Sequence, residues 1–371
     1  KNGSEAGAYF TVIANPSLKW ETQISTDIAL EFGLFDRLTG TIEYFKKDSK
    51  DLLFDVSQPA SVGVTSIIQN IGKVTNSGVE IELDYNAFKN KDWSVSVGAN
   101  ATFVKNKIKN LPATMKENGY ISGSKKWLEG KSIYEFWLRQ WHGVDPQTGD
   151  GLYVADVSKY NQGNIGTGDG NITQSQFDEY KKTVVTIDGK ELTNSYTYAK
   201  YDFSGSSIPD VYGGFNVRVS YKNFDLAAVF SYQLGGQILD TNYATMMSMT
   251  EFGYAQSPDL LKAWKQAGDI TEVPRIDNSA AHTTNIGQSY STRWLTSSDY
   301  LNLRSVTIGY QLPKTWLSKV MLKSARLNLT AENLFMLKAR QGLNPMANYS
   351  GVTYNEYMPS RNITLGLNVS F

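Results

Sequence analysis

Segments of about ten residues in which every second side chain is apolar recur along this chain, and that period admits little besides half-exposed β-strands. The final segment is the clearest: Ile363, Leu365, Leu367, Val369 and Phe371 fall on one face, and Asn362, Thr364, Gly366, Asn368 and Ser370 on the other. Val79, Ile81, Leu83 and Tyr85 alternate with Glu80, Glu82, Asp84 and Asn86. After a polar link at Lys89–Asp92, Trp93, Val95, Val97, Ala99, Ala101 and Phe103 take up the same period, which reads as a hairpin. A second hairpin pairs Phe215–Tyr221 with Phe224–Tyr232 across Lys222-Asn223.

Further strands are expected near 22–34, 38–56, 133–143, 299–311 and 322–334, about ten in all at membrane-strand length. The segment from Tyr300 changes phase near Arg304-Ser305, the mark of a β-bulge. Short links contrast with long polar stretches at 57–73, 105–131, 144–208, 236–298 and 336–360. Short turns on one rim and long extracellular loops on the other describe an antiparallel transmembrane β-barrel, an all-β fold. Pro258 and Gly268 frame a short helix expected at Ser257–Ala267.

The polar faces carry Asp27, Glu31, Glu43, Glu80, Glu82, Asp84, Arg218, Arg304 and Arg326. Patterning alone lets them be the solvated side of a soluble sheet or the wet lumen of a barrel. No apolar run is long enough for a transmembrane helix, which leaves a barrel open because its strands show lipid only every second residue.

The chain has 36 basic and 36 acidic residues, so nothing in its charge points to nucleic acid. With no cysteine and only His142 and His282, thiolate metal sites are excluded and histidine catalysis is disfavoured. His282 lies in a polar stretch with no acid–base partner visible from spacing. Trp141 and His142, after Trp137 and Arg139, would stack on a sugar or, as the preferred reading, form the interfacial belt of a membrane strand. Trp141, His142, Arg218 and Arg304 are the candidate substrate contacts. Met246, Met247, Met249 and Phe252 read as packing beneath a loop, or as contact with a lid subunit.

Seven stretches, in order, resemble the SusC-like family of TonB-linked outer-membrane transporters: NPSLKWE from Asn15, NIGKVTNSGVEIELDY from Asn70, GVDPQTGDGLYVAD from Gly143, the hairpin IPDVYGG…QILD from Ile208, WKQAGDITEVPR from Trp264, SDYLNLRSVTIGYQLPK from Ser298, and AENLF from Ala331. Gly213 and Gly214 would allow close backbone approach, and Pro313 would stop a strand. The resemblance implies the C-terminal part, about ten strands, of a 22-stranded barrel. KNGSEAGAYF has no apolar signal core, so the sequence is expected to be a piece of a longer precursor that also supplies the plug, the TonB box and the remaining strands.

The implied function is TonB-dependent import of oligosaccharides or peptides with a SusD-like surface lipoprotein, in the outer membrane among lipid and lipopolysaccharide. Residues 144–207 and 236–297 are the expected lid contacts. Leu367, Val369 and Phe371 resemble the signal read by the barrel-assembly machinery. Where relatives carry a calcium-loop-like stretch, this chain has GTGDGNITQSQFDEY. Asp169, Asn171 and Thr173 keep oxygen-ligand spacing, but position twelve is Tyr180, so no cofactor is expected and an Asn/Gly turn is preferred to calcium. The readings from other classes are a soluble β-rich carbohydrate-binding module and an outer-membrane enzyme.

Overall fold

The computed structural model describes residues 14–57, 64, 66–168, 170–248, 253, 255–277, 279, 282, 286–287, 290–318 and 322–371. Nine long strands form one antiparallel meander: β1 Thr22–Leu34, β2 Leu38–Ser57, β3 Ser66–Lys89, β4 Trp93–Asn110, β5 Val211–Tyr221, β6 Phe224–Leu234, β7 Tyr300–Gln311, β8 Ser324–Glu332 and β9 Asn362–Ser370. A short strand at Met336–Lys338 pairs with β7 as the tenth member. The sheet is not closed. β1 and β9 are its free edges, and, with nine strands between turns, both run from the long-loop rim to the short-turn rim.

The strand at 133–143 is a correction. That segment divides into Glu135–Arg139 and Trp141–Val144, which belong to two separate four-stranded sheets outside the meander. Alternation was present, but Phe136 and Leu138 point into a core rather than out from a wall.

The register places every apolar stripe on one face. Leu30 lies opposite Ile42, Ile42 opposite Ile81, Val217 opposite Ala228, Ile308 opposite Leu329, and Leu329 opposite Leu365. Ile28, Leu30, Ile42, Leu226, Ile308, Leu329 and Leu365 are all exposed there, an apolar surface far wider than a soluble monomer presents. The opposite face carries Glu82 opposite Thr41 and Asn100, and Arg218 opposite Ser96. It also holds the Arg326–Asp225 pair at 2.6 Å. Asp27, Glu31, Glu43, Glu80, Glu82 and Asp84 make no ion pair among the described residues.

Aromatic side chains line part of the apolar face at the short-turn rim. Trp93 packs on Tyr221 at 4.4 Å and Phe224 on Tyr310 at 4.3 Å, on four neighbouring strands. Phe215 stacks on Phe230 at 4.5 Å about 20 Å further along the strands. Aromatic groups about this far apart match the spacing of the interfacial girdles of membrane barrels. Trp137 and Trp141, read from the sequence as a belt, instead lie in the loop sheets outside the meander.

The bulge falls where the phase change puts it. Ser305 opposes Val229 and Leu303 opposes Phe230, so Arg304 is the extra residue. The 57–73 stretch is also partly corrected. β2 and β3 run to 20 and 24 residues and stay paired up to Ser57–Ser66, so the hairpin rises well past its neighbours. Bulges near Leu52, with Asp51 at φ 56, let the hairpin twist as it leaves the wall.

Candidate functional site

The connections 111–210, 235–299 and 333–361 all leave the long-loop rim and share one hydrophobic core. Phe136 and Leu138 from the first, Leu239, Met247 and Trp294 from the second, and Val352 from the third are all buried together. Met247 thus bears out the packing reading; Met246 is exposed, and Met249 and Phe252 lie outside the described residues. The loops carry their own sheets. One is ordered Tyr201–Ser206, Glu135–Arg139, Lys125–Trp127, Tyr120–Ser122, and the other Val184–Ile187, Lys190–Thr193, Gly151–Val154, Trp141–Val144.

Polar groups fasten the loops to one another. Asp240 accepts from the Tyr243 backbone N–H at 2.9 Å, capping the helix Thr241–Met246, and pairs with Arg340. Thr353 donates to the same carboxylate at 3.3 Å, and Arg340 lies 3.4 Å from the Tyr243 ring centroid. Burial holds Arg340 down at about 10.

Two pairs of the sequence motifs meet in space. In NPSLKWE, Asn15 donates to the Ile68 carbonyl at 2.9 Å, and Glu21 accepts from the Leu53 N–H at 2.9 Å. Asn70 of the second motif accepts from Lys19 N–H at 2.8 Å and donates to the Lys19 and Asp51 carbonyls. These contacts lace the segment before β1 onto the raised β2–β3 hairpin. Likewise DPQTGD packs on WKQAGDITEVPR: Gly268 N–H and Trp264 Nε1 both donate to the Pro146 carbonyl, at 2.7 and 3.0 Å. Arg275 reaches Asp150 at 3.2 Å. Gly149 lies so close beneath Trp264 that a Cβ would sit 2.5 Å from its ring, at φ +73.

This docking also corrects the helix expected at Ser257–Ala267. Only Pro258–Lys262 is helical, as a 3-10 turn, because Ala263 turns extended and Trp264 N–H bonds Val273. His282 is buried in the same place. Its Nε2 bonds the Arg275 carbonyl at 2.8 Å, and its Nδ1 stands 3.9 Å from Asp150. The carboxylate that spacing did not place near it is Asp150, brought in from more than a hundred residues away.

Trp141 and His142 sit in this loop assembly. Trp141 packs edge-on to Tyr153 at 5.1 Å and under the Arg293 guanidinium at 4.7 Å, while His142 is exposed. Arg293 also lies 4.3 Å from the Trp294 ring, and burial pulls it down to about 10. Arg218 and Arg304 lie on the polar face of the sheet, and no bond or ring contact among the described residues joins them to Trp141 or His142. Asp169 lies outside the described residues. Thr173 accepts from Gln176 N–H at 3.2 Å in a capping box for the helix Gln174–Thr183. Tyr180 belongs to an aromatic core with Tyr160 and Tyr198, and Asn171 closes the turn before the cap.

Residues 2–171 match the family model described as TonB dependent receptor-like, beta-barrel. Over that stretch the chain resembles TonB-dependent receptor barrels. It is 29% identical to the TonB-dependent receptor P3 of Formosa agariphila over 98% of this chain and 36% of that protein. It is 24% identical to the TonB-dependent receptor SusC of Bacteroides thetaiotaomicron, over 96% of this chain and 32% of that protein. It also superimposes on the RagAB peptide importer in its closed-closed state with a TM-score of 0.76 and 25% identity, covering 100% of this chain and 38% of that one. The chain spans about a third of the length of these relatives. Its open sheet is what a partial barrel presents.

One lysine of the loops is poised to titrate near neutral pH. Lys125, on the inner face of the first loop sheet, donates to the Tyr134 carbonyl at 2.8 Å and lies 3.1 Å from the Phe136 ring centroid. Burial pulls its ammonium from 10.5 down to about 7. Between those values the unfolded chain holds more proton than the folded one, so stability rises with pH. We expect a gain of about 1–2 kcal/mol from pH 7 to 8.5, tempered by the ring contact that favours the cation. Denaturant unfolding of the loop core, followed by tryptophan fluorescence, should show this slope in the wild type and lose it in Lys125→Met.

Proposed function

We propose that this chain forms part of an outer-membrane, TonB-dependent importer of nutrient oligosaccharides or peptides, and that its role is transport rather than catalysis. The observation that carries the reading is a nine-stranded sheet with one continuous exposed apolar face, bounded by aromatic bands, and one polar face. Such a surface is stable only in hydrocarbon, and only when the strand edges are paired. The alternative of a soluble binding module has no use for it.

The ordered loops on one rim form a rigid platform where a SusD-like lipoprotein would seat as a lid over ligand. That RagAB is described as a peptide importer supports peptide as a cargo class, and the likeness to SusC supports the same transport architecture. TonB would act through the rest of the barrel and its plug. The exposed stripe of Leu367 and Val369 on the free edge β9, with Phe371 just beyond its end, would be the part read by the barrel-assembly machinery.

The test is fractionation and growth. The protein should partition with the outer membrane, need detergent for extraction, and support growth on its nutrient only when TonB is intact. Free solubility without amphiphile, or growth unaffected by its deletion on every oligosaccharide and peptide source offered, would overturn the proposal.

A further inference from the structure

One face of the first loop sheet is assembled from cations and aromatic rings. Trp137 lies opposite Phe203, and Arg139 opposite Tyr201, so these four side chains share a face; Phe136 and Leu138 fill the buried side. The Trp137 ring lies 4.9 Å from Phe203 and is stacked with Tyr201 at 6.2 Å and 13°. Lys126 Nζ lies 4.0 Å from the Trp137 centroid, and Lys131 Nζ lies 4.7 Å from Phe203. The Arg139 guanidinium sits between Tyr201 at 4.7 Å and Tyr196 at 4.8 Å.

Rings hold these three cations where other sheets would use carboxylates. None of Lys126, Lys131 and Arg139 makes an ion pair among the described residues. Arg139 Nε donates to the Tyr196 carbonyl at 2.9 Å, and its terminal nitrogens have no acceptor among the described residues. Two carboxylates are near. Glu135 alternates onto the same face, and Asp202 is engaged by Lys200 at 2.8 Å. A cation held over a ring keeps its charge at little cost and stays available to an anion.

We propose that this face is a ligand-recognition surface for an oligosaccharide bearing carboxylates, a uronate chain. Lysine and arginine only donate, so the surface fits a ligand rich in acceptors. A peptide would bring one backbone N–H per residue, and Glu135 is the one anionic acceptor on the face to receive them. The planar guanidinium of Arg139 matches a carboxylate, and the half-exposed rings match the apolar faces of sugar rings. The inference rests on the import reading for its purpose, but binding can be measured without transport.

The experiment is calorimetric titration of the detergent-purified, full-length protein with hexagalacturonate, maltohexaose and hexaglutamate. Hexagalacturonate should bind best and weaken as salt rises. The variant Lys126→Gln/Lys131→Gln/Arg139→Gln should lose about tenfold or more, and Lys131→Gln alone about threefold. Because Lys131 is exposed, its substitution tests the site even if the triple variant melts early. No binding of hexagalacturonate, equal binding of maltohexaose, preference for hexaglutamate, or wild-type affinity in both variants would overturn the assignment. Uptake that fails while binding persists would count against the import reading alone; lost binding with intact uptake would count against this one alone.

Discussion

Replacing Gly213 by valine is expected to destabilise the barrel by at least about 3 kcal/mol and to prevent most of it from inserting. A Cβ at this position would stand 2.1 Å from the Asn100 carbonyl oxygen on β4. The space is already used. Tyr232, opposite Gly213 on β6, reaches across to donate its hydroxyl to that oxygen at 3.0 Å, while Gly214 N–H donates to the Asn100 side chain at 2.9 Å. An aromatic side chain laid over a strand glycine covers the backbone it leaves bare, and the pair is exchangeable only as a unit. Gly213→Ala should be milder, and Gly213→Val should reduce the heat-modifiable folded band in outer-membrane fractions. Wild-type insertion and an unchanged urea midpoint in Gly213→Val would show that the close approach is not required.

The second large effect is expected in the loops. Arg340→Met leaves the Asp240 carboxylate, 4% exposed, without its cation, at an expected cost of about 3–5 kcal/mol to the loop assembly. Two hydrogen bonds would remain, from Tyr243 N–H and Thr353, too few to offset a buried charge. Asp240→Asn combined with Arg340→Met should recover most of the loss, because the uncompensated charge rather than the missing contact dominates. Limited proteolysis of the loops in both variants, with the barrel intact, separates these outcomes. Equal sensitivity in Arg340→Met and the wild type would refute the argument.

The wall of this fold was legible because each strand repeats one binary rule. The Val211–Tyr221 and Phe224–Leu234 hairpin, its turn at Lys222-Asn223, the bulge at Arg304 and the terminal strand all sit where alternation places them. Legibility failed where the same period serves another purpose. Glu135–Arg139 alternates because a loop sheet has a core on one side, not lipid. Ser66–Lys73 was hidden by Gln, Asn, Gly and Lys in a hairpin that has left the hydrocarbon level, where water accepts either face.

The loop contacts were the least legible part. Their partners are remote in sequence: Asp240 with Arg340, His282 with Asp150, Pro146 with Trp264. No local spacing encodes such meetings. The family motifs marked the places without giving the reason, which is that they bond to one another. Trp141 illustrates the same limit. An aromatic after a strand-like segment suggests a membrane belt, yet its ring lies beneath Arg293, while the paired rings Trp93, Tyr221, Phe224 and Tyr310 stand at turn ends that alternation alone does not rank.

The direction of the two free edges decides what can finish this wall. Two identical copies arranged about a common axis would bring β9 of one against β1 of its neighbour with both chains heading the same way, leaving slanted, weaker seams on either side of an eighteen-strand ring, about twice the present wall. A meander joined only by hairpins seals itself when the added strands are odd in count and both outer ones run in the opposite sense, so a second copy in the same orientation does not complete it. Self-association in one orientation would therefore give the weaker parallel seams, whereas edge strands that run the other way would give antiparallel ones.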